Sequence, residues 1–185
     1  MPNLPAALNN DAYAKYPDFD LIPSRCISHM MSNSEIIWKL LKYEKPDAWE
    51  QADLTDDEKR ELIYKGEDDA SKYKVFLDTG ISDVFTREDC IIRVSPDDIL
   101  QETRTVGTVY VQFEVYSHFK VNHLSNLRTR TDMITTELLR IFNGSEILGI
   151  GRLNLTRSVN LNSKVHPAGQ IPFKGRTLVF GNKSA

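Results

Sequence analysis

The 185-residue sequence predicts an α+β fold: a mostly antiparallel β-sheet with helices packed on one side and an extended N-terminal arm. Three observations predict it. First, the stretch Thr105 to Gly144 changes hydrophobic period partway along. Val109, Val111, Phe113 and Val115 alternate with Tyr110, Gln112, Glu114 and Tyr116, the period-2 pattern of a strand with one buried face. From Leu127 the apolar set becomes Leu127, Ile134, Leu138 and Ile141, with Leu139 and Phe142 beside them. That is helical spacing, and Asn143-Gly144 supplies the stop. Second, short strand-like runs flank this unit on both sides. Third, two capping-box patterns precede helical stripes near the N-terminus. Strands joined by turns, with a crossing helix, form a two-layer α+β arrangement.

The length fits one domain, and a chain of this size buries enough surface to fold without a staple. The expected division is an extended arm over residues 1–30 and a single domain over 31–185. Residues 1–30 hold Pro2, Pro5, Pro17 and Pro23, and proline disfavours helix in the residue before it. Tyr13, Tyr16 and Phe19 lie among them and are candidate interface residues, packing on their own domain or on a neighbour. The terminus has neither a basic region nor an apolar run, so no signal peptide is expected. No stretch has the unbroken apolar length of a membrane span.

Ser32-Asn33-Ser34-Glu35 reads as a capping box, followed by the stripe Ile36, Ile37, Leu40, Leu41. Trp38 lies at the stripe's edge and is a further interface candidate. A second box, Thr55-Asp56-Asp57-Glu58, opens another helix whose acidic first turn suits the helix dipole. Leu62 and Ile63 give it a small apolar face, and Gly66 is its expected stop. Residues 36 to 65 therefore read as helix-loop-helix with an acidic outer surface. Its carboxylates lack the alternating oxygens, central glycine and closing glutamate of a calcium loop.

Lys74 to Leu77 and Asp89 to Val94 read as short strands. Between them, Asp78-Thr79-Gly80 matches the triplet of aspartic proteases, but without the small-residue turn after the glycine. It reads as a turn. Pro96-Asp97-Asp98 is expected to begin another turn. His118 and His123, with Glu114 on the preceding strand, could be imagined as a two-histidine, one-carboxylate site. Histidines at strand ends more often serve as ordinary hydrogen-bonding groups. Cys26 and Cys90 match no zinc spacing and read as reduced thiols. No catalytic residue, metal ligand or cofactor is expected, and the protein is not expected to be an enzyme. The net charge of −3 argues against a nucleic-acid footprint over the whole chain.

The central helix carries Arg128, Arg130 and Arg140 against Asp132 and Glu137. Arg128 and Arg130 are candidates for contact with an acidic neighbour or with DNA. Ile147 to Thr156 turns into a strand at Leu153, with Gly149 and Gly151 marking a bulge or a close backbone approach. Residues 157–173 read as a long polar loop, and Lys174 to Phe180 as the closing strand.

The order of elements resembles the neck proteins of tailed bacteriophages: head-tail connector, tail terminator and tail-completion subunits. The likeness lies in SNSEIIWKLLKY followed by LTDDEKREL, in VYVQFEVYSH leading into LRTRTDMITTELLRIFNG, and in GRLNL followed by a polar loop and KGRTLVF. It covers residues 30 to 180 and is one of pattern. It implies a structural virion protein that forms a homo-oligomeric ring, hexameric or dodecameric, around the DNA channel. The implied partners are further copies of itself, neighbouring neck, portal or tail proteins, and DNA passing through without sequence-specific contact. The implied place is the virion neck or tail, assembled in the host cytoplasm. The alternative is a non-viral adaptor or regulatory domain that binds protein or nucleic acid.

Overall fold

The structure is a computed structural model that describes residues 19–66, 69–77, 88–101, 107–147, 151–161 and 173–182. A 3-10 turn at Phe19–Leu21 leads into helix α1, Ile22–Asn33. Pro23 sits in the first turn, where its missing N–H breaks no intrahelical bond. Ile22, Cys26, Ile27 and Met30 are buried on one stripe of this helix. The extended arm expected over residues 1–30 is thus corrected over its last third, which is helical and part of the core. Tyr13, Tyr16 and the Phe19 side chain lie outside the described residues.

Helix α2, Glu35–Lys42, is capped two residues later than expected. Ser34, not Ser32, is the N-cap, its hydroxyl accepting from the Ile37 N–H at 3.4 Å. Ser32 lies inside the last turn of α1 and donates to the Ser28 carbonyl at 3.1 Å. The Thr55 box forms as expected at the start of α3, Asp56–Glu61: Glu58 N–H donates to Thr55 Oγ1 at 3.3 Å, and Glu58 Oε2 accepts from Thr55 N–H at 2.8 Å.

Five strands form one sheet in the order β1-β2-β3-β5-β4. They are β1 Val75–Phe76, β2 Cys90–Gln101, β3 Gly107–His118, β4 Leu153–Asn160 and β5 Phe173–Asn182. The β1–β2 pair is parallel and the other three pairs are antiparallel. Two strands run further than the turn signals imply. β2 continues through Pro96-Asp97-Asp98, and a register shift between Pro96 and Ile99 absorbs the proline. β4 takes in residues 157–160 of the expected polar loop, with a register shift between Leu155 and Arg157. Residues 162–172 and the Asp78-Thr79-Gly80 triplet lie outside the described residues.

The alternation in β3 works as expected. Val109, Val111, Phe113 and Val115 are fully buried and pack with α1, α2 and α5 (Arg130–Phe142) in the main core. The Phe113 ring lies 4.5 Å from Phe142 and 5.7 Å, edge-on, from Phe180. The opposite face carries a smaller cluster of Tyr73, Phe76, Ile91, Tyr116 and Phe173. At Gly151, φ is +110° and an added Cβ would meet Asn182 Oδ1 at 2.8 Å, which is the close approach expected near this glycine.

Candidate assembly interface

The connection from β3 to α5 breaks with the expected pattern most clearly. It begins with a single turn, α4, Phe119–Asn122. Helix α5 is capped by Thr129, whose hydroxyl accepts from the Asp132 N–H at 3.2 Å. Leu127, expected to open the helix stripe, therefore lies outside the helix. It is 99% exposed and sits at φ +62°, the one non-glycine residue with positive φ among the described residues. A left-handed conformation costs a residue with a Cβ about 1–2 kcal/mol, and at this exposure Leu127 gains almost no packing in return.

The turn that holds Leu127 is well braced. Leu124 N–H donates to the Arg128 carbonyl at 3.0 Å and Leu127 N–H to the Leu124 carbonyl at 3.2 Å. Arg128 N–H donates to Asn126 Oδ1 at 3.1 Å, and His123 bridges Thr129 at the base. Ser125 ties the turn to the next segment: its N–H donates to the Pro46 carbonyl at 2.9 Å, and its hydroxyl accepts from Trp49 Nε1 at 3.4 Å. The result is a fixed apolar knob beside the exposed Arg128.

A second feature is the sheet edge at β4. Along Leu153–Asn160, residues 154–158 are all exposed. At the start of the strand, Leu153 N–H reaches the Ser145 carbonyl at 2.8 Å and Leu155 N–H reaches Asn143 Oδ1 at 3.0 Å. Among the described residues no strand pairs with the outer side of β4. The opposite edge differs: β1 has two residues, and Ile63 bridges Val75 there.

The other interface candidates separate. Arg128 is exposed as expected. Arg130 is a correction, for it is 1% exposed. Its Nε donates to the Val121 carbonyl at 2.9 Å, and its other nitrogens donate to the carbonyls of Leu40, Tyr43 at 2.8 Å and Lys45 at 3.0 Å. Burial lowers its guanidinium pKa from the ordinary value. Arg140 is tied to Glu137 at 2.8 Å and to the Asn33 carbonyl at 2.7 Å. The basic face expected on the central helix is therefore reduced, because two of its three arginines are taken up within the chain. Trp38 is likewise a correction: it is fully buried, and its Nε1 donates to the Met30 carbonyl at 3.2 Å.

The imagined two-histidine site is not assembled. Glu114 faces Arg93 at 3.3 Å, His118 Nδ1 accepts from the Lys120 N–H at 3.4 Å as the cap of α4, and His123 is exposed. Among the described residues no three His, Cys, Asp or Glu side chains are grouped as a metal would need. Cys26 and Cys90 are buried and unpaired to each other, and burial pushes both thiols up to about 12. Among the described residues no helix is long and apolar enough to cross a membrane.

Sequence reasoning missed Leu127 as a knob, although a signal was present. Thr129-Arg130-Thr131-Asp132 is itself a capping pattern, and it places the helix start after Leu127. Such a reading leaves a bulky apolar residue in an Asn-Leu-Arg turn with no stripe to join.

A family model, YomW, matches residues 34–181. The chain belongs to the YomW family. YomW is a phage-derived family, which makes this a phage-related protein. No curated protein matches the chain. The matched span begins at the N-cap of α2 and ends within β5, so it contains both the Leu127 turn and β4.

Proposed function

We propose that the protein is a structural virion subunit of the phage neck, forming a ring that joins head to tail or terminates the tail tube. Its partners are further copies of itself and the adjoining neck, portal or tail proteins. DNA passes through the channel without sequence-specific contact, and no step is catalytic. The phage-derived family supports the viral setting. The observation that carries the assembly reading is the β4 edge: residues 154–158 are exposed in succession, Ser145 and Asn143 cap only the first N–H groups of the strand, and no further strand pairs with its outer side among the described residues. Monomeric proteins generally blunt such edges or cover them, since an open edge invites pairing with another chain. The acidic balance supports a wall that DNA slides past rather than grips.

The test is the mass of the purified full chain by light scattering after size exclusion, across a range of concentrations, with electron microscopy of the largest species. A discrete ring-sized species with a central opening is expected. A monomer at every concentration, or salt-sensitive DNA binding without any assembly, overturns the reading in favour of an adaptor or regulatory domain.

A further inference from the structure

We propose that the Leu127 turn is the head-to-tail anchor of the assembly, seated against the acidic α3 surface of a second copy. This rests on the assembly reading above and names its contact. Three observations carry it. The first is the knob itself: a leucine held in a disfavoured conformation, fully exposed, on a turn tied down from both sides. A braced apolar anchor loses little entropy when it docks, which is how pre-organised contacts gain affinity.

The second is charge. The connection 119–129 carries Lys120 and Arg128 and no carboxylate. Lys120 is engaged by Glu88, which leaves Arg128 as the exposed cation beside the knob. Between Asp53 and Glu61 the chain places five carboxylates. Lys39, Lys59 and Arg60 answer Asp53, Asp56 and Asp57, so the surface keeps a negative excess, with Glu61 exposed at its end. Opposite potentials on two patches select how copies meet.

The third is placement. Lys59 of α3 bonds Glu35 Oε1 at 2.5 Å and the Met31 carbonyl at 3.3 Å, at the N-terminal end of α2. Ser125 and Arg130 bond the Pro46, Tyr43 and Lys45 carbonyls, beyond its C-terminal end. The eight residues of α2 span about 12 Å. The acidic surface thus lies alongside α2, with Asp53 pairing Lys39 at 2.5 Å, while the knob is fixed beyond the C-terminal end of that helix, so the two are different patches of one chain. A contact between two different patches of identical subunits is heterologous, the kind that closes into rings.

The experiment measures assembly of the full-length wild type, Leu127→Asn, Arg128→Glu, and Arg128→Glu combined with Asp57→Arg and Glu61→Lys. Asparagine tolerates the left-handed conformation, so Leu127→Asn removes the apolar anchor without unfolding the turn, and its thermal melt checks that. The expected result is that both single variants raise the concentration needed for assembly about tenfold or more, while the charge-reversed combination restores it. Assembly of Leu127→Asn and Arg128→Glu at wild-type concentration overturns the anchor and leaves the ring reading standing. Loss with Arg128→Glu that the charge reversal does not restore overturns the acidic surface as the docking site. A wild type that never assembles overturns both readings together.

Discussion

The guanidinium of Arg130 donates to the carbonyl of Tyr43 at 2.8 Å, so the first residue of α5 closes off the end of α2. A helix leaves its last carbonyls without intrahelical donors, and its C-terminal end carries partial negative charge. Arg130 answers both, through one planar cation that also reaches the Leu40 and Lys45 carbonyls. Lysine has one donor point and cannot span these acceptors. Arg130→Lys is expected to cost about 2–4 kcal/mol of stability, read as a lower urea midpoint at an unchanged slope. If assembly weakens while that midpoint stays put, the residue belongs to an interface and this account fails.

Lys59 and Glu35 make an unequal pair. The Lys59 side chain is 4% exposed and Glu35 40% exposed, at a separation of 2.5 Å. Removing the carboxylate leaves a buried ammonium with the Met31 carbonyl and Asp56 at 3.8 Å. Removing the lysine in favour of an apolar chain leaves a carboxylate whose Oε2 is buried without a partner but whose side chain is 40% exposed, so rotation of the group brings it to water. Glu35→Ala is therefore expected to cost about 1–3 kcal/mol, and Lys59→Met less. Denaturant curves of the two variants decide it, and the reverse order would show that the ammonium is not held as described.

Asp132 gives the fold an acid-sensitive joint. Burial would raise its carboxyl, but hydrogen bonds from Lys174 and Thr129 and the nearby charges of Lys174 and Arg176 outweigh that, leaving it below the ordinary value. The Lys174 contact is 2.7 Å and ties α5 to β5. A carboxyl lower in the folded state than in the unfolded one binds its proton less readily when folded. Its stabilising share is thus complete above the unfolded value, about 3.9, and is lost as pH falls below it toward the folded value. Asp132→Asn should remove that part of the acid dependence, with little change in stability slope above pH 5. The measurement is the urea midpoint of wild type and variant from neutral pH downward. Parallel curves in the acid range would mean Asp132 carries none of it.

The sheet was legible where hydrophobic period and turn chemistry agreed. The β3 valines, the Thr55 box and the Asn143-Gly144 stop all fell where expected, because each rests on contacts within a few residues. The misses share another cause. Pro23 looked like a breaker yet starts a helix, since position within the first turn decides its cost. Arg130 looked solvated because helical spacing says nothing of what lies across the gap, and three of its four acceptors, the Leu40, Tyr43 and Lys45 carbonyls, are 85 to 90 residues away in sequence. Leu127 was counted into a helix on its apolar character alone, against a cap two residues later. The assembly surface was correspondingly half visible: Arg128 could be named from charge, whereas the knob beside it and the β4 edge depend on tertiary pairing.

Leu127 also makes a prediction about the isolated chain that is independent of any partner. A residue chosen for monomer stability at φ +62° would be glycine or asparagine. At 99% exposure, leucine loses no burial when replaced. Leu127→Asn should therefore leave the unassembled protein as stable as wild type or up to about 1 kcal/mol more stable. Leu127→Gly should gain less, because glycine also adds freedom to the unfolded chain. Thermal unfolding below the assembly concentration tests the order. A stability loss of more than about 1 kcal/mol in the asparagine variant would mean that Leu127 packs within its own chain, and the knob would lose its reason to await another subunit.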